Sequence, residues 1–133
     1  MVNIDYIMDL LDWNRSAEEQ ALGIELAKDV HFIHAFLQPC MKNYNKNVWD
    51  NCAKILAMRP DSELEQCLPS LLEWLQDLNW PGATCILERL QAYRDTKTLD
   101  TYRSIALKEA ACMGDEVWES NLLEIGQEGV TGL

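Results

Sequence analysis

The sequence predicts an all-α protein, a short array of about four stacked helical hairpins, and three observations carry that prediction. Trp13, Trp49, Trp80 and Trp118 fall at nearly even intervals, each opening an apolar segment that follows a polar turn. Such regularity marks arrays whose units bury their apolar faces only by stacking on neighbours. Apolar residues recur at i, i+3 and i+4 along most of the chain, the period of one helix face. No stretch alternates with period 2 between turn residues, so no sheet is expected.

The elements follow in order. Ile4, Ile7, Met8 and Leu11 form one face of an opening helix. After the break at 12–15, Ser16 and Glu19 make a capping box for a helix that turns Ala17, Ala21, Ile24 and Ala27 inward. A helix over 30–43 would bury Phe32, Ile33, Phe36 and Leu37. Val48 and Trp49 start the next, which runs through Cys52, Ile55 and Leu56 to Pro60. Ser62 with Glu65 supplies a second capping box, and Leu64, Leu68, Leu71 and Leu75 make the clearest apolar stripe of the chain. Pro69 lies inside that stripe and predicts a kink. Pro81 suits the first position of the following helix, whose inner residues are Ala83, Ile86, Leu87 and Leu90. Thr98 is the expected cap of a helix over 99–113 with Leu99, Tyr102, Ile105, Ala106 and Met113 inward. The last helix buries Trp118, Leu122 and Ile125. One domain over residues 1–126 is expected, with the glycine-rich segment 127–133 as a flexible tail.

Composition narrows the function classes. A net charge of −11 over 133 residues repels phosphate backbones and anionic membranes and attracts basic partners. No apolar run reaches the roughly 18 residues that span a bilayer. The first residues carry Asp5 and Asp9 among their apolar positions and no basic stretch, unlike a signal peptide. A cytoplasmic setting is expected. Cys40, Cys52, Cys67, Cys85 and Cys112 are odd in number and form no C-x-x-C pair, which favours free thiols acting as small hydrophobes.

The segment LPSLLEWLQD, residues 68–77, resembles the first helix and turn of a HEAT repeat, with its Leu-Pro-x-Leu-Leu helix and an Asp at the turn. Residues 62–93 carry that resemblance best. More narrowly, LLEWLQDLNWPGA followed by ILERL is similar to a bacterial family of short helical domains of unknown function. The resemblance implies a small HEAT-like right-handed α-α superhelix and brings no catalytic residues with it. Similarity in size and acidity to proteins encoded beside secreted toxins implies an immunity role.

Few residues point to catalysis. His31 and His34 stand at i, i+3, but no third ligand matches a zinc spacing. The paired acids at 18–19, 63/65 and 115–116 sit in first turns of helices, where they complement the macrodipole. No G-x-S-x-G elbow or glycine-rich phosphate loop occurs. No enzyme activity, cofactor or metal is expected. The regular tryptophans are expected to plug the turns between hairpins. Trp74 stands outside that series at the margin of the leucine stripe, and so is expected at a partly exposed surface. With Asp50, Lys54, Glu88 and Arg89 on the second helices, it makes up the expected binding surface for a basic protein partner. Two alternatives are a small-molecule or enzymatic groove and a self-associating structural module.

Overall fold

The computed structural model describes residues 3–41 and 44–131. Among them there is no strand, and the fold is all-α. Helix α1 (Ile4–Leu10) is capped by Asn3, whose side chain accepts from the Tyr6 N–H. Helix α2 (Ala17–Ala27) starts at the expected Ser16/Glu19 box. Ala27 is buried and Ile24 half-buried as expected, but Ala17 and Ala21 are exposed and Gly23 is buried instead. Gly23 lets the two helices touch, since a Cβ there would lie 2.9 Å from Leu11 Cδ2.

The helix expected over 30–43 does not form. A 3-10 turn spans Ile33–Phe36 and a short α3 spans Gln38–Met41. Pro39 explains the break, because it has no N–H to give to the carbonyl four residues back. That carbonyl, Ala35 O, instead accepts from Gln38 Nε2 at 2.6 Å, and Gln38 Oε1 accepts from the Tyr44 N–H. Ile33, Phe36 and Leu37 still reach the core, but Phe32 is left 65% exposed.

Helix α4 (Trp49–Ala57) buries Trp49, Cys52, Ile55 and Leu56 as predicted. The leucine stripe is also buried, but the helix that carries it is broken. It comprises α5 (Asp61–Leu64), a 3-10 turn at Glu65–Cys67, α6 (Leu68–Glu73) and a 3-10 turn at Trp74–Gln76. Ser62 lies inside α5 and caps nothing; Pro60 takes the cap position. Pro69 sits in the first turn of α6 rather than at a kink, where a missing N–H leaves no carbonyl unpaired.

Helix α7 (Ala83–Gln91) begins after Gly82 rather than at Pro81, with Ala83, Ile86 and Leu90 buried. Helix α8 (Thr96–Met113) is capped by Asp95, which accepts from the Thr98 N–H, so Thr98 is the capped residue and not the cap. Leu99 and Ala106 are buried, whereas Ile105 and Met113, expected inside, are exposed. Asp115 caps the Trp118 N–H at the start of α9 (Glu116–Thr131). That helix continues through 127–131; residues 132 and 133 lie outside the described ones.

Helix α1 packs on α2 and α8 on α9, while α4 lies between α2 and α7, and α7 also meets α9. Helix α6 packs on α8. One continuous apolar cluster runs from Ile7 to Ile125. Trp118 is fixed in it by its Nε1–H, which donates to Leu72 O at 3.0 Å. Trp49 is also buried and meets Trp74 and Trp80 edge-on. Trp13, expected as the first plug, is 46% exposed instead.

Candidate interaction surface

Helices α4 and α7 lie side by side and bring three of the expected binding residues together. Asp50 and Lys54 are one turn apart and exposed on α4, and Glu88 is exposed on α7. Half-buried Cys85 lies within the electrostatic reach of all three. Burial pushes the Cys85 thiol up; Glu88 and Asp50 push it further and Lys54 opposes them. The thiol is therefore held neutral, the unreactive form. Cys52 and Cys67 are buried, and burial raises both. Exposed Cys112 lies apart on α8, and the Cys40 side chain falls outside the described residues.

The other two expected residues are corrected. Trp74 is completely buried, with its Nε1–H donated to Pro81 O at 3.1 Å. Its placement at a surface margin considered one helix alone. Trp49 of α4 and the turn at Pro81–Gly82 lie against the ring and close that margin.

Arg89 points inward as well. Its Nε donates to Ala57 O and its Nη2 to Arg59 O, at 3.1 and 3.0 Å. The same guanidinium pairs with Asp61, whose second oxygen accepts from the Arg94 N–H. Arg59 does the same one unit earlier, donating from Nη2 to Ala27 O and Val30 O and pairing with Glu63. Each arginine thus closes the free carbonyls at the end of a preceding helix, where a cation also meets the negative pole of the dipole. Sequence spacing did not reveal these ties, because each joins groups about 30 positions apart.

The inward arginines reshape the surface. Arg15, Arg59, Arg89 and Arg103 are all held in ion pairs within the chain. Acidic residues are also unevenly placed. Residues 1–59 hold eight acids and six bases, whereas 60–133 hold fourteen acids and five bases. No base occurs between Arg59 and Arg89, and none after Lys108. A charge count by segment, rather than over the whole chain, would have located the acidic half.

Residues 44–131 match the family described as a domain of unknown function, DUF5071. The chain belongs to this family. The DUF5071 match takes in α4 to α9, and so both the Asp50/Lys54/Glu88 face and the acidic half. Neither a curated protein nor a solved structure matches the chain.

Proposed function

We propose that this DUF5071 protein is a non-enzymatic binding module of a bacterial cytosol that docks a basic protein surface, with a cognate toxin domain as the concrete case. One observation supports the reading above all. Arg59 and Arg89 are turned inward onto backbone carbonyls and local carboxylates, while Asp50, Glu65, Glu73, Glu88 and Glu109 pair with no cation among the described residues. A surface so arranged speeds the approach of a positively charged partner and disfavours nucleic acid.

The pairing of α1 with α2 and of α8 with α9, and the stacking of α2, α4, α7 and α9, support a finer description of the fold. They fit four HEAT-like hairpins in a right-handed superhelix, with α2, α4, α7 and α9 as the second helices. Asp50, Lys54 and Glu88 then line the inner face of the array. Binding would act by occlusion, and the neutral Cys85 thiol among those charges supports contact rather than chemistry.

The test is recovery of the tagged protein from its own cells at low salt. A basic protein should co-elute and should be released as salt rises. Recovery of the chain alone, or with acidic partners only, would overturn the reading.

A further inference from the structure

Resting on that reading, we infer that the groove between α6 and α8 is the slot for an amphipathic segment of the partner, an apolar row flanked by lysine or arginine. Leu72 and Trp118 form its floor, Tyr102 and Ile105 one wall, and Glu73 and Glu109 its acidic rim. The Trp118 N–H is already given to Leu72 O, so the floor offers an apolar surface with no open donor from that ring.

Size decides what kind of occupant fits. The hollow measures about 130 Å³, below the roughly 300–1,000 Å³ of small-molecule pockets. An engineered apolar cavity of about 150 Å³ takes up one benzene, so this groove suits a single leucine- or methionine-sized side chain. The wall extends beyond that hollow. Ile105, Glu109 and Met113 stand at i, i+4 and i+8 on α8, all exposed, with Ile105 51% and Met113 64% open. That row is about 12 Å long at 1.5 Å per residue, enough to follow two turns of a partner helix.

Charge decides the sign of the occupant. Glu73 and Glu109 have no cationic partner among the described residues. They line the hollow with no lysine or arginine among its lining residues. A second copy would bring two such rims together, which like-charge repulsion opposes. A basic segment instead places its cations over the rim and its apolar residue over Trp118.

The test uses a labelled lysine–leucine amphipathic peptide and its serine-for-leucine analogue, titrated with the full chain at low salt and followed by fluorescence anisotropy. The leucine peptide should bind more tightly than the serine analogue. The pair Glu73→Lys with Glu109→Lys should weaken it by about tenfold or more, and Ile105→Ser by several-fold. The pair Glu18→Lys with Asp29→Lys changes net charge equally but lies on and just after α2, which packs on α1 and α4, and should weaken binding by about twofold or less. Glu109 and Ile105 are exposed, so Glu109→Lys and Ile105→Ser also serve singly, with urea midpoints showing that the fold is kept.

Equal weakening by both charge-reversed pairs, or equal binding of both peptides, would overturn the slot and leave the basic-partner reading standing. Binding of neither peptide would also remove the slot, whereas the broader reading falls only on recovery from native cells. A concentration-dependent dimer abolished by Ile105→Ser would assign the groove to a second copy and overturn the inference.

Discussion

Asp61 ties the start of α5 to α7 and to the segment after it through both of its oxygens. One pairs with the Arg89 guanidinium, which also holds Ala57 O and Arg59 O, and the other accepts from the Arg94 N–H. Burial alone would push the Asp61 carboxyl up, but the Arg94 N–H and the Arg89 guanidinium outweigh it and hold the group below its usual 3.8. A carboxylate lowered in the folded state adds stability above its unfolded value, and that stability is lost as pH falls through the folded one. Asp61→Asn should therefore cost about 1–3 kcal/mol at neutral pH, since Arg89 keeps its buried position without its counter-charge. The difference from the parent chain should shrink as pH drops below about 3.8. Urea midpoints over a pH series read this directly. A difference that stayed constant into strong acid would mean that the carboxylate's charge contributes nothing.

At the scale of elements, two glycines with left-handed backbone test how far local geometry and packing can be separated. Gly114 ends α8 at φ 68° and a Cβ there would meet nothing within 4 Å. Gly82 precedes α7 at φ 85°, where a Cβ would lie 2.7 Å from Ala53 Cβ and 2.8 Å from Trp49 O. Gly114→Ala should cost about 1 kcal/mol, the backbone penalty alone. Gly82→Ala adds a clash with helix α4 and should cost about 2–4 kcal/mol. Thermal unfolding of the two variants gives the comparison, and equal losses would show that α4 and α7 do not meet closely at Gly82. The same contrast explains what was legible in the sequence. The Ser16 box, the α4 face and the leucine stripe were readable because each depends on residues within one turn or two of each other. The breaks at 33–41 and 65–67 were not, since the carbonyl freed by Pro39 is satisfied only when Gln38 turns back and bridges to Tyr44. Of the expected surface, Asp50, Lys54 and Glu88 are exposed as helix phase predicts, Trp74 is covered by α4 and the Pro81–Gly82 turn, and Arg89 is held by groups about 30 positions away.

Across the whole molecule, the acidic half has opposite consequences for folding and for binding. Its carboxylates repel one another in the compact state, and the three ion pairs that reach them among the described residues, Arg59–Glu63, Arg89–Asp61 and Arg103–Asp100, offset only part of this. Exposed pairs elsewhere, Arg15 with Asp9 and Lys28 with Glu25, each contribute about 1 kcal/mol or less. Salt shortens the screening length from about 30 Å at 0.01 M to about 8 Å at 0.15 M. Repulsion between Glu73 on α6 and the acids of α9 acts over such distances, whereas Arg59 and Arg89 are largely shielded from solvent, with side chains 13% and 14% exposed. The long-range repulsion should therefore fade first, and the urea midpoint at neutral pH should rise with added sodium chloride. Affinity for a basic partner should fall over the same range, because the same unpaired carboxylates attract it. Opposite slopes are the expected signature of a surface kept acidic at a cost in stability. If the midpoint instead fell with salt, the ion pairs would outweigh the repulsion, and the charge of residues 60–133 would be a feature of internal pairing rather than of a surface open to a partner.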